Sequence, residues 1–327
     1  MSRKRRKCFF CTGLMLLLIL LLCPAGISRK AAAAETQFPL PIRGAAVYPV
    51  QTISLNGRSL KAGTAMVALQ ESGSRVKVSF QDETGWISRN LLAVNLPDVL
   101  PDIAYDMNYN YGAVMKASGV PIPGVTGRKL YGWGNRKTGK WYNPRLDRKE
   151  FVVPVSIGFA HKIAALAAFA EEEGYRLMIW DAYRPYSVTV QIYKAAYALA
   201  AANQRVRDGF SAGGWNQGWF LSSGVSAHNR LTAIDCTLLR PDGEQPDMPS
   251  ELDELSWRAA KYQSPGSSVY ASGMTEAAKA LDRMAAKAGL KGIASEWWHF
   301  QDPSSYGIGA CSWRPQKAAG FLPDPEE

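Results

Sequence analysis

The stretch L-T-A-I-D-C-T-L-L, Leu231 to Leu239, sets one acid in the middle of a largely apolar run. A short apolar run of this kind reads as a buried strand. Period-two alternation places Ala233, Asp235, Thr237 and Leu239 on one face, and Ile234, Cys236 and Leu238 on the other. A bare carboxylate inside such a strand is costly unless it is paired or bound to a metal. The chain must therefore fold so that something positive reaches Asp235. A salt bridge, a capping interaction or a cation would each serve.

The histidines narrow the choice. There are only three, and two of them stand near acids. His228 lies seven residues before Asp235, in S-A-H-N-R-L-T-A-I-D. His299 stands in S-E-W-W-H-F, three residues after Glu296. Two imidazoles and one carboxylate make a three-ligand zinc set with a fourth position open to water, and a spare carboxylate then serves as the base. An isolated E-x-x-H says little; joined to H-x6-D upstream it says much more. In a regular strand Glu296 and His299 would point to opposite faces, so the backbone must turn or bulge between them. Trp297 and Trp298 are expected to pack in the core. His161 fits no motif and is expected to be an ordinary structural or surface histidine.

The formal charge of +10 misleads. It falls to +3 once the seven basic residues of the first 34 are set aside, and that segment holds no acid. A nearly balanced remainder gives no electrostatic case for a nucleic-acid partner. The early basic cluster runs straight into L-M-L-L-L-I-L-L-L, Leu14 to Leu22, followed by Ala31 to Ala34. This order reads as a secretion signal over residues 1–34, cleaved after Ala34. Cys8 to Ile27 also carries no charge over roughly the ~20 residues of a membrane-spanning helix, so an uncleaved anchor is the alternative. Either reading exports the body of the protein to the periplasm or cell wall, with no stable membrane contact if the signal is cleaved. Beyond the signal only Cys236 and Cys311 remain. Cys236 is expected to be a buried apolar residue rather than a ligand.

Residues 44–95 alternate in short stretches, such as A-M-V-A-L and R-V-K-V-S-F, between turn signals at Asn56-Gly57, Ser72 to Ser74 and Asp82 to Gly85. With its G-W-I-S-R-N-L-L ending, this segment resembles a bacterial SH3-like domain. The resemblance implies a small all-β barrel that binds cell-wall peptides or serves only as a spacer. Residues 96–101, marked by two prolines, are expected to be a linker, with a second domain over 102–327. Expected helices there cover Ile163 to Tyr175, stopped by Gly174, then Val188 to Ala202 and Thr275 to Ala288. Expected strands cover Arg176 to Asp181, Leu231 to Leu239 and Glu296 to Phe300. Gly209 to Gly218 is expected to be a loop. Helices and strands alternate irregularly, so the fold class is α+β, with a central antiparallel sheet and flanking helices.

The combination S-x-H-x-x-x-x-A-I-D and E-W-W-H resembles the zinc D-alanyl-D-alanine peptidase family. The double tryptophan is more similar to its dipeptidase branch, the vancomycin-resistance type. A-Y-D-M-N-Y-N-Y, I-W-D-A-Y-R-P and M-P-S-E-L-D are similar to further elements of that branch, in the same order. The resemblance implies one zinc ion per chain, held by His228, Asp235 and His299. It implies Glu296 as general base and Arg184 as the group that stabilises the oxyanion. Asp253 would hold the substrate ammonium, and Ser226 and Tyr105 would contact substrate. The implied substrate is D-Ala-D-Ala or a peptidoglycan-derived peptide. A D,D-carboxypeptidase or endopeptidase acting on stem peptides is the alternative, and an inactive wall-binding protein is a third reading. One departure stands out: Leu231 occupies a position where the family usually has glycine, which implies a differently shaped loop between His228 and Asp235.

Overall fold

The computed structural model describes residues 40–105, 133–135, 140–142, 153–184, 186–252 and 254–305. The expected signal, Cys311, Asp253 and the Asp106 to Tyr111 part of the tyrosine-rich motif lie outside these residues. No helix among the described residues is long and apolar enough to cross a membrane.

The alternating N-terminal stretches form strands, as their period-two pattern requires. They are β1 (Ala46–Pro49), β2 (Ile53–Leu55), β3 (Arg58–Leu60), β4 (Met66–Ser72), β5 (Arg75–Phe80), β6 (Glu83–Ser88) and β7 (Leu92–Asn95). Asn56 and Gly57 both take positive φ, 49° and 87°, the primed turn that suits the β2–β3 hairpin. Among the described residues no barrel closes. The main sheet stays open, in the order β11-β7-β1-β4-β5-β6, where β11 (Pro154–Ser156) comes from far along the chain. β11 pairs antiparallel with β7, so the N-terminal strands gain an edge partner from the second half of the protein instead of closing on themselves.

Residues 96–101 begin with a one-turn helix, α1 (Leu96–Val99), that buries Leu96 and Val99. Asn95 explains how this turn docks. Its buried side-chain oxygen accepts a hydrogen bond from the Val153 backbone amide at 2.9 Å. The Leu96 amide in turn donates to the Val153 carbonyl at 3.0 Å. All described residues fall within one compact unit, 37–327.

Helix α2 (Ile157–Glu172) follows β11 directly. Ser156 caps it by accepting from the Phe159 amide, and Gly174 ends it in the left-handed region at φ 78°. Ile157, Phe159, Ile163 and Leu166 along it are buried. At its solvent edge His161 Nε2 lies 2.8 Å from both Glu71 carboxylate oxygens of β4, which gives this histidine its structural role.

A second sheet carries the remaining elements in the order β14-β15-β13-β12-β8. Its strands are β8 (Ala104–Tyr105), β12 (Arg176–Asp181), β13 (Ala233–Leu239), β14 (Lys291–Gly292) and β15 (His299–Gln301). All pairs are antiparallel except β12 with β8. This is the central antiparallel sheet of an α+β fold. Every residue of β13 is buried, on both faces. A separate hairpin joins β9 (Trp133–Asn135) and β10 (Lys140–Tyr142). Helices α3 (Tyr186–Ala202), α4 (Gln204–Ser211), α5 (Gln217–Phe220) and α6 (Glu276–Lys287) complete the described elements, and Thr275 caps α6. The expected loop Gly209 to Gly218 is partly helical: Gly209 to Ser211 end α4, and Gln217 and Gly218 begin α5.

Replacing Asn95 with Ala would leave the Val153 amide buried without its partner. Loss of about 1–3 kcal/mol in urea-unfolding free energy is expected. An unchanged midpoint and slope would show that Asn95 does not fasten β7 to β11.

Candidate metal centre and active-site cavity

Register places the ligating groups. Asp235 of β13 stands directly opposite His299 of β15. On the other side of β13, a bulge at Trp180 between Ile179 and Asp181 brings Asp181 opposite Asp235. His228 arrives from a 3-10 turn, His228–Arg230, just before β13. The backbone bends at Trp297 and Trp298 before β15 begins at His299, which is the turn that Glu296 and His299 need to share one site.

Each imidazole is oriented by a second bond. His228 Nδ1 donates to the Ala182 carbonyl at 2.6 Å, and His299 Nε2 donates to Gln301 Oε1 at 3.2 Å. The opposite nitrogens then carry lone pairs. His228 Nε2 and His299 Nδ1 face each other at 3.1 Å. Asp235 Oδ1 lies 3.0 Å from the His299 nitrogen and 3.4 Å from the His228 nitrogen. Three buried acceptors thus converge with nothing positive between them, all within 4.8 Å of one another. A divalent cation fits this nitrogen–nitrogen–oxygen set, and the carbonyl and amide bonds behind the imidazoles are the usual outer support of such a site.

Glu296 stands just outside the three. Its Oε2 lies 3.8 Å from His299 Nδ1. Burial, and after it the negative charge of Asp235, pushes its carboxyl up to about 8, against the pull of Arg184 and His228. Asp235 behaves oppositely. Burial alone would raise it, but the two imidazoles, whenever protonated, outweigh burial and hold it well below the usual carboxylate range. Asp181 is fully buried and raised by that burial, with Arg184 opposing. Arg184 clasps Asp181 Oδ2 through Nη2 at 2.6 Å and Nε at 3.1 Å, and its Nη2 reaches within 3.5 Å of Asp235 Oδ2. The Arg184–Asp181 pair therefore lies in the interior rather than on the surface.

These side chains open into a cavity of about 380 Å³. His228, Asp235, His299, Glu296, Arg184 and Ser226 all line it. Tyr105 does not. It is buried in β8, and its hydroxyl donates to the Leu100 carbonyl at 2.7 Å. Cys236 is a buried free cysteine whose thiol is raised by burial, on the strand position next to Asp235. Cys236 therefore packs as an apolar residue.

Leu231 adopts the left-handed conformation itself, φ 63° and ψ 28°, with its side chain fully buried. The turn between His228 and Asp235 thus takes a glycine-type backbone without glycine.

Two residues at this site were not singled out from the sequence. Asn229, beside His228, is 1% exposed. Its Oδ1 accepts from the Ser226 amide at 2.7 Å and hydroxyl at 3.2 Å, while its Nδ2 donates to the Arg184 carbonyl at 2.6 Å and to Thr189 Oγ1 at 3.1 Å. It thereby ties Ser226 to the Arg184 loop. Gln301 was visible in principle, since period-two alternation puts it on the face of His299.

A model of the D-Ala-D-Ala dipeptidase family of peptidases matches residues 122–310. The D-alanyl-D-alanine dipeptidase of Escherichia coli K12 is 32% identical over 146 residues, which is 44% of this chain and 65% of that relative. The chain thus spans just under two thirds of the length of that relative.

Two outcomes follow from the geometry. Protein equilibrated with zinc and then desalted is expected to hold about one ion per chain; His299→Ala should hold almost none by elemental analysis. Equal retention by the variant would remove His299 from the ligand set. Leu231→Gly should relax a left-handed strain of about 1–2 kcal/mol but lose about 2–5 kcal/mol of buried contact. Net destabilisation of about 1–3 kcal/mol in chemical unfolding is expected; a stabilised variant would contradict this account of the turn.

Proposed function

The chain belongs to the D-Ala-D-Ala dipeptidase family of peptidases, and from that premise we propose that it is an exported zinc dipeptidase acting on D-Ala-D-Ala or a closely related wall dipeptide. The observation that carries the proposal is the convergence of His228 Nε2, Asp235 Oδ1 and His299 Nδ1 beside a buried Glu296 and a cavity-lining Arg184. A zinc ion held by the three ligands would supply Lewis acidity and lower the pKa of a nearby water.

The chain's own residues divide the rest of the work. Glu296 accepts the proton of the attacking water at its carboxylate and delivers it to the nitrogen of the leaving amine, so it ends the cycle unprotonated as it began. Its place beside the ligand set, with Oε2 3.8 Å from His299 Nδ1, suits this shuttling. As water adds to the scissile carbonyl, negative charge grows on the carbonyl oxygen. Arg184, held rigid by Asp181 at 2.6 Å, presents a fixed cation to that charge without reorganising. Ser226, whose position Asn229 fixes, contacts the substrate backbone. Asp253 pairs with the free ammonium, the feature that separates a dipeptide from an internal peptide bond.

Export rests on the basic and apolar N-terminal stretches. A wall-binding role for the N-terminal strands rests on their resemblance to SH3-like domains.

Release of D-alanine from D-Ala-D-Ala by the zinc-loaded protein tests the substrate directly; no release from this peptide would refute it. Glu296→Gln is expected to keep its zinc and lower kcat by about 10²–10⁴-fold. A loss smaller than tenfold, with zinc content unchanged, would take Glu296 out of the proton-transfer role.

A further inference from the structure

We infer that Trp219 is a specificity-determining residue that closes one end of the metal cavity and so limits the length of peptide the site accepts. This inference rests on the dipeptidase reading above and names a residue for its length preference.

The metal cavity of about 380 Å³ has a neighbour of about 620 Å³. Four residues line both: Gly218, Trp219, Ile293 and Gln301. Gly218 has no side chain to offer, and Gln301 is held by His299. Trp219 is the largest of the four and is 44% exposed, although it belongs to a chain that buries several of its other tryptophans fully. A residue that lines both cavities and carries an exposed indole is suited to serve as a partition between them.

It is a fixed partition. The one-turn helix α5 starts from an Asn216 cap that accepts from the Gly218 amide at 2.9 Å. The Trp219 amide donates to the Asn216 carbonyl at 3.0 Å. The Trp219 carbonyl accepts from the Ser295 hydroxyl at 2.6 Å, and Ser295 immediately precedes Glu296. The indole meets the buried ring of Trp215 edge-on, with centroids 5.7 Å apart. The wall is therefore bonded to the same segment that carries the base.

Size gives the wall its consequence. Ligand cavities commonly run from about 300 to 1,000 Å³, so the metal cavity lies at the small end, suited to two small residues. Each further residue of an extended peptide needs about 3.3–3.6 Å of additional length. The neighbouring cavity, lined by Lys261, Lys291 and Asp282 among others, offers that length on the far side of the indole. Lys261 is already paired with Asp282 at 2.7 Å, which leaves a polar rather than strongly charged chamber.

The test compares zinc-loaded full-length wild type, Trp219→Ala and Trp219→Phe on three peptides: D-Ala-D-Ala, Gly-D-Ala-D-Ala and D-Ala-D-Ala-Gly. For Trp219→Ala, the ratio of kcat/KM on at least one tripeptide to that on the dipeptide should rise about tenfold or more, the scale on which pockets discriminate by bulk. Trp219→Phe should stay within about threefold of wild type, because a ring remains in place. The same peptides are titrated calorimetrically into Glu296→Gln and into Glu296→Gln/Trp219→Ala, where the ratio of binding constants should shift the same way. If wild type cleaves none of the three peptides, the dipeptidase reading fails, and the binding ratio alone decides the role of Trp219. Ratios that do not move on removing the indole, or binding of none of the peptides, would overturn the inference.

Discussion

Three carboxylates, Asp181, Asp235 and Glu296, are buried around one point, and Arg184 and two imidazoles are what the described residues set against them. Each isolated buried charge would cost several kcal/mol, so this cluster is the constraint that the surrounding structure must satisfy. It is satisfied unequally. Asp181 takes the arginine almost to itself, and Asp235 takes the imidazoles. Glu296 is left with the weakest compensation and is the carboxyl pushed up to about 8. Neighbouring acids in different surroundings thereby differ: Asp181 anchors the arginine, Asp235 is held ionised among the imidazoles, and Glu296 is raised.

Such a cluster needs rigid walls, because an imidazole that swings by an ångström releases its partner. The walls are aromatic. Trp180 packs against Trp297 and Trp298 with centroids 6.4 and 6.2 Å away, and the latter two meet edge-on at 5.3 Å. Trp297 is also pinned by its indole N–H, which donates to Ser250 Oγ at 3.0 Å. These three rings flank both the bulge that aims Asp181 and the bend that aims Glu296. Packing at crystal-like density leaves the bend few alternatives, and that is how a segment with no regular structure holds Glu296 near the His228, Asp235 and His299 cluster.

The centre was legible in the sequence because its cost is written locally. An acid in an apolar strand demands a partner, and the few histidines of the chain could supply it. The need for a turn between Glu296 and His299 was also legible, from strand periodicity alone. What was not legible depended on distant pairing. Nothing in residues 44–95 announces that Pro154 to Ser156 will take the edge of their sheet, so a barrel was expected where the described strands form an open sheet. Tyr105 matched a motif, but its hydroxyl is engaged by Leu100 within the same segment. Asn229 escaped notice because a polar residue beside a histidine carries no signal until its four hydrogen bonds are seen.

The borrowed strand also bears on the turn that holds His228. The Ser156 amide at the end of β11 donates to the Leu231 carbonyl at 2.9 Å. Leu231 is the residue held in the left-handed region, and its own amide donates back to the His228 carbonyl at 3.3 Å. A leucine would leave that conformation if released, since its β-carbon is crowded there. The bond from β11 and the burial of its side chain together hold it. The N-terminal sheet is therefore more than an appended module. Through β7, β11 and Leu231 it braces the turn that presents a proposed metal ligand, and its hydrogen-bond ladder helps to offset the strain of a turn built without glycine.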